Sequence, residues 1–191
     1  MINGFTLHDT TSAPTASTGI LDGVQKSWGL VPNLHRVLAE SPAALEAYAT
    51  LWGIAEKTGF TPQERNIAYI AIIYENECTY CMAGHTNLSR VAKVEPEAIS
   101  AVREGRPIAD PKLEALRQFA AKVTRNRGVV SEADVSAFKA AGFDNHAMLD
   151  VLVLAATKLI SNYTNHVAET PNDSFMKGAE WTPPGKLKPA A

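Results

Sequence analysis

Along most of the chain, apolar residues recur at three- and four-residue spacing inside segments bounded by helix punctuation. Leu113, Leu116, Phe119, Ala120 and Val123 share one such face, the period of a helix packed on a core. Ser41-Pro42, Thr61-Pro62 and Asp110-Pro111 each set a capping side chain before a proline at the first helical position. Gly59, Gly105, Gly128 and Gly142 fall where such segments should stop. Thr61 with Glu64, and Ser131 with Asp134, have the spacing of capping boxes. Together these signals predict helices over 32–40, 42–57, 62–75, 78–93, 96–104, 111–127, 132–141 and 145–168. No alternating strand pattern of useful length intervenes. The expected fold is all-α, a single compact multi-helix domain over 19–180. A flexible arm rich in Thr, Ser, Ala and Pro, 1–18, precedes it, and an irregular tail, 181–191, lies across a surface or a neighbouring subunit.

Composition narrows the class. A chain of 191 residues, 46% hydrophobic and 20% charged, can bury a core without disulfide or metal staples. A net charge of −2 with no dense Lys/Arg cluster argues against nucleic acid as a partner. The start of the chain lacks a basic region followed by an apolar run, and the most apolar stretch, Val151 to Ile160, is interrupted by Lys158 and too short to span a bilayer. A cytoplasmic protein, off the membrane, is expected. There, structural disulfides are rare. The only two cysteines, Cys78 and Cys81, would close almost no loop and so stabilise little. They are read as a reactive pair; the plain alternative is two coincidental core thiols.

The informative stretch runs Asn76-Glu77-Cys78-Thr79-Tyr80-Cys81-Met82-Ala83-Gly84-His85. In a helix, Cys78 and Cys81 sit one turn apart, about 5 Å between Cα atoms, within disulfide range. His85 lies one further turn along the face of Cys81, and Glu77 one turn back. Magnitudes show why a proton-handling group matters. A thiol of pKa about 8.5 is only a few per cent ionised at pH 7. Lowering that pKa by about two units gains roughly 25-fold in thiolate but loses roughly 8-fold in nucleophilicity, a net of about threefold. A positioned acid for the leaving alkoxide is worth ~10²–10⁴, and His85 is the candidate. His85 favours Cys81 as the attacking thiol, whereas a helix start capped by Asn76 favours Cys78 through the macrodipole. The balance favours Cys81, with Cys78 as its disulfide partner.

These residues resemble the alkylhydroperoxidase D-like and carboxymuconolactone decarboxylase superfamily, in its peroxidase-related branch. The likeness rests on Thr61-Pro62-Gln63-Glu64-Arg65, the apolar run Ile67 to Tyr74, and Asn76-x-Cys78-x-Tyr80-Cys81-x-x-x-His85. Ser161-Asn162-Tyr163-Thr164-Asn165-His166 and Glu169-Thr170-Pro171 add to it. It implies an all-helical homo-oligomer, trimer or hexamer, that reduces peroxides through the cysteine pair. The electron donor would be a lipoyl- or thioredoxin-like dithiol, and no cofactor or metal would be needed. True carboxymuconolactone decarboxylases lack the Cys-x-x-Cys pair. One departure concerns the relay acid, which in alkylhydroperoxidase D proteins lies twelve residues before the first cysteine; here that position is Asn66. Glu64 is the nearest acid. If its helix folds back antiparallel, Glu64 lies about 20 Å from the hinge and His85 about 12 Å, so a water would have to join them. Glu64 also reads as half of a capping box, and Glu77 as ordinary dipole compensation.

Other readings stay beside this one. Cys78, Cys81 and His85 could ligate a metal with His166 or Glu77, but structural zinc sites add a second, distant ligand pair. Lys158, Asn162 and His166 form a polar stripe on an apolar helix, read as a solvated face. His8, His35 and His146 carry no spacing signal, and Trp28, Trp52 and Tyr80 read as core or interface filler. Two other functions fit the scaffold: a non-enzymatic redox-sensing oligomeric module, and a cofactorless decarboxylase or isomerase.

Overall fold

The computed structural model describes residues 3–186; residues 1–2 and 187–191, the extremes of the expected arm and tail, lie outside them. The described part is helical throughout: α1 (Thr15–Trp28), α2 (Asn33–Leu38), α3 (Pro42–Ala55), α4 (Pro62–Glu75), α5 (Thr79–Val91), α6 (Pro96–Arg103), α7 (Pro111–Arg125), α8 (Glu132–Ala140) and α9 (Asn145–Ala168). Short 3-10 turns follow at Ser174–Met176 and Pro184–Lys186. No strand occurs among the described residues.

The expected punctuation is in place. Ser41, Thr61 and Asp110 cap α3, α4 and α7 with their side chains, each ahead of a proline. Both capping boxes close, at Thr61–Glu64 and Ser131–Asp134. After α6 the chain turns at Gly105, φ +71°, where a Cβ would collide with the Tyr74 hydroxyl. Only glycine meets both demands.

One helix was not expected. α1 begins at Thr15, inside the stretch read as an arm, and its N-cap Pro14 offers no capping side chain. Long-range packing holds it. Leu21 is fully buried, Ser17 Oγ donates to the Ala39 carbonyl, and the Trp28 ring meets Trp52 edge-on with centroids 5.5 Å apart.

α4 is the centre of the molecule, buried along its length from Glu64 to Ile73 and packed by α5, α6, α7 and α9. α3 and α2 close over the other side of α9. Residues after α9 return along the surface, where Trp181 Nε1 donates to the Arg103 carbonyl and its ring meets Tyr74. The expected tail therefore lies on this chain's own surface as far as Lys186. No described helix is long and apolar enough to cross a membrane.

Candidate functional site

The turn between α4 and α5 sets the two thiols. Cys78 N–H donates to the Ile73 carbonyl and Glu77 N–H to the Tyr74 carbonyl, the paired bonds of a Schellman motif. Glu77 fills its left-handed position at φ +53°, where glycine is usual. Cys78, not Asn76, then caps α5: its Sγ accepts from the Cys81 N–H at 3.4 Å. Asn76 instead donates to Asn162 Oδ1 at 2.8 Å.

Cys81 and Cys78 are free thiols, 4% and 1% exposed. Asn165 Nδ2 donates to Cys81 Sγ at 3.2 Å and lies 3.9 Å from Cys78 Sγ. Burial alone would raise the Cys81 pKa. A hydrogen bond from Cys78, the Lys158 charge and hydrogen bonds from Asn162 and Ser161 outweigh it, lowering the pKa to about 6. Cys78 moves the opposite way. It holds its proton toward Cys81, and burial and the neighbouring negative charge raise its pKa further. The two thiols are thus shifted in opposite directions, Cys81 toward the thiolate and Cys78 toward the thiol.

The expected solvated stripe on α9 is wrong for two of its three residues. His166 is exposed, but Lys158 and Asn162 are buried to within 1%. Lys158 Nζ lies 2.8 Å from His85 Nε2, 4.7 Å from the Tyr69 ring centroid and 5.1 Å from that of Trp52, close enough for cation–π attraction. No carboxylate bonds it among the described residues. Burial lowers its pKa to about 8, against the raising influence of the two thiols. Burial first, then the Lys158 charge, pushes His85 well below the ordinary imidazole range. At neutral pH His85 is neutral. If Nε2 accepts from the ammonium, its proton is on Nδ1, which has no hydrogen-bond partner.

Neither glutamate joins this group. Glu64 closes its capping box with Thr61 and pairs with Lys112 at 2.7 Å. Burial would raise its pKa, yet Lys112 and Thr61 hold it below the usual value, unsuited to trading protons at neutral pH. Glu77 lies at the surface, 2.6 Å from Lys186. Asn66, at the family's relay position, donates to the Pro62 carbonyl. The charged partner of His85 is a lysine from α9. No cluster of three or more His, Cys, Asp or Glu among the described residues is arranged to hold a metal ion.

The two cysteines open onto different cavities. Cys81, with His85 and Lys158, lines an apolar cavity of about 200 Å³ walled by Trp28, His35, Tyr48 and Trp52. Cys78 lines a separate, polar cleft of about 600 Å³. Tyr80 stands between them, donating to Asp173 at 2.5 Å and accepting from Leu34 N–H at 3.1 Å. The aromatic residues read as filler are therefore cavity walls, and His35 is buried among them with its pKa lowered by burial to about 4.

Residues 42–122 of the chain match the carboxymuconolactone decarboxylase family. The fold is shared with an alkylhydroperoxidase core, an uncharacterised peroxidase-related protein of Ralstonia eutropha: 24% identity, TM-score 0.80, 93% of this chain and 96% of that one covered. A second peroxidase-related protein, from a Silicibacter species, superposes at 19% identity and TM-score 0.76, covering 92% and 93%. The debrominase Bmp8, as a cysteine-to-alanine variant with 2,3,4-tribromopyrrole, superposes at 15% identity and TM-score 0.73, covering 92% and 95%. No curated protein matches the chain. One fold carrying both names leaves the reaction to be argued from the site.

Proposed function

We propose that the protein is a cytoplasmic, homo-oligomeric thiol peroxidase that reduces hydrogen or organic peroxides through Cys81 and Cys78. The observation that carries this reading is the asymmetry of the pair. Cys81 is held as thiolate at a cavity wall beside His85 and Lys158, while Cys78 keeps its proton one turn away. With a pKa of about 6, Cys81 is about nine-tenths ionised at pH 7. Its sulfur attacks the terminal peroxide oxygen and the O–O bond breaks. The leaving alkoxide takes the His85 Nδ1 proton, and Lys158 replaces it through Nε2, leaving a neutral amine. Cys81 becomes a sulfenic acid.

That oxidation also prepares the second step. The hydrogen bond to Cys81 and its negative charge hold the proton on Cys78. Both disappear when the thiolate becomes a neutral sulfenic acid. Cys78 then attacks Cys81, water leaves, and a disulfide forms. In total one peroxide and two thiols give an alcohol, water and the disulfide. The test is one turnover of the reduced protein with peroxide, followed by peptide mapping. An intrachain Cys78–Cys81 bond is expected. Peroxide consumption that survives thiol blocking would defeat the proposal, and consumption of one equivalent without turnover by any thiol donor would make the protein a sensor.

The aromatic cavity favours one second reading, reductive dehalogenation of a haloaromatic ring, given the fold shared with a debrominase. Cys81 would take the halogen from carbon, the ring carbon would gain a proton, and Cys78 would displace halide to form the same disulfide. Bromide release from a brominated pyrrole, measured beside peroxide turnover, separates the two.

A further inference from the structure

We propose that the polar cleft over Cys78 is the docking site of the reductant, and that it takes a low-molecular-weight thiol bearing uncharged amide and hydroxyl groups. This rests on the disulfide cycle proposed above. The cleft shares only Tyr80 with the cavity beside Cys81, so oxidant and reductant can approach by separate routes. Its size, about 600 Å³, suits a small molecule. Cys78 is at the cleft floor and 1% exposed, within reach of a slender thiol but recessed from a folded dithiol protein.

The polar chemistry of the cleft is unfinished. Asn165 Oδ1 and Thr170 Oγ1 have no hydrogen-bond partner, although both residues are more than nine-tenths buried and both line it. Leaving them unpaired costs free energy; both atoms are closed to solvent, so a ligand N–H or O–H would pair with either once its side chain turns toward the cleft. Charge selects among such ligands. On the rim Glu77 is balanced by Lys186, while Glu169 forms no ion pair among the described residues. An acidic thiol is thereby disfavoured, and an apolar dithiol arm would leave the polar atoms unpartnered.

The chemistry runs in one direction. The incoming thiolate attacks Cys78 Sγ, the Cys78–Cys81 bond breaks, and Cys81 departs as the stabilised thiolate, since the thiol of lower pKa leaves faster. A second reductant thiol then attacks the outer sulfur of the mixed disulfide. Cys78 is released and the reductant leaves as its own disulfide: two reductant thiols are oxidised, two protein thiols restored.

Diamide can form the protein disulfide without peroxide, which keeps this test independent of the peroxidase reading. The oxidised protein is mixed with pantetheine, glutathione, dihydrolipoamide or thioredoxin at equal thiolate concentration, quenched with acid and mapped by mass spectrometry. Pantetheine should react fastest, by roughly tenfold over glutathione for one or two hydrogen bonds gained, and the mixed disulfide should be on Cys78. His166→Trp, a change at an exposed residue lining the cleft, should slow pantetheine severalfold. A mixed disulfide on Cys81, no effect of His166→Trp, or equal or faster reduction by any of the other three would overturn the proposal. If pantetheine behaves as expected while peroxide fails to oxidise the pair, the peroxidase reading falls and the cleft assignment stands. If diamide forms no Cys78–Cys81 bond, both fall.

Discussion

Lys158 Nζ and His85 Nε2 lie 2.8 Å apart between α9 and α5, in a buried site where no carboxylate bonds either group among the described residues. This separates two tasks the sequence had assigned to histidine alone. The Lys158 charge is among the causes that lower the Cys81 pKa; His85 is not. Lys158→Met should therefore raise the Cys81 pKa above about 6 and cut the thiolate fraction at pH 7, by less than the roughly 10²-fold of a full return to an ordinary thiol, because the Cys78 hydrogen bond remains. His85→Ala should leave the iodoacetamide pH profile nearly unchanged yet slow peroxide reduction by ~10² or more, through loss of the leaving-group acid. If His85→Ala shifts the alkylation profile as far as Lys158→Met does, the division of labour is wrong.

The same groups set how stability depends on pH. The folded pKa of Cys81 is depressed from 9.0 to about 6, so its stabilising contribution is complete above pH 9 and lost as pH falls toward 6. Lys158 is depressed from 10.5 to about 8; burying it charged costs stability below pH 8, and the cost disappears by pH 10.5. Both effects raise stability with pH. The urea midpoint of the reduced protein should climb from pH 6 to pH 9, and Cys81→Ser should flatten part of that climb. A flat wild-type profile would show that the thiolate is not stabilised in the fold. His35 adds an acid limit, its stabilising contribution being complete above pH 6.5 and lost as pH falls through about 4.

Glu77 provides a sharper control. Its φ of +53° at the left-handed position makes it a turn residue. Glu77→Gly should leave Cys81 alkylation and single-turnover peroxide oxidation unchanged, and stability equal or higher by up to about 1 kcal/mol. A tenfold fall in the oxidation rate would restore Glu77 as a relay acid.

What could be read from the sequence was what short-range chemistry writes. Caps such as Thr61, Asp110 and Ser131 act within three residues, so eight of the nine described helices were legible. α1 was not, because Pro14 gives no cap bond and the helix is held by partners far along the chain. The motif Cys78-x-x-Cys81-x-x-x-His85 was legible for the same reason. Lys158 was missed because a lysine on an apolar helix ordinarily points to water. A signal was present in its neighbours. Thr157, Lys158, Ser161, Asn162 and Asn165 share one inner face of α9, and all are buried. Five polar residues at helical spacing on a helix with an apolar central run mark a polar interior rather than a solvated exterior.

The cysteine roles have distinct signatures. Cys81→Ser should abolish both peroxide reduction and sulfenic acid. Cys78→Ser should react once and stall as the sulfenic acid, because no other thiol exists in the chain to resolve it. Dimedone labelling with intact-mass measurement distinguishes them, and exchanged outcomes would exchange the roles.

The polar inner face of α9 leaves its apolar residues on the outside. Leu149, Leu152, Leu159, Tyr163 and Val167 are each 46–63% exposed, an apolar stripe running along one helix. Such a continuous stripe is rare on a monomer and marks an interaction surface. A second copy of the chain is the occupant we expect, giving the homo-oligomer proposed above. Leu152→Glu with Leu159→Glu places charges only where side chains are already exposed, so the fold and the Cys81 pKa should survive. Light scattering should then show a fall from a multiple of 20.6 kDa to that of a single chain. A wild type that is monomeric at micromolar concentration, or a double variant that stays assembled, would remove α9 from the interface.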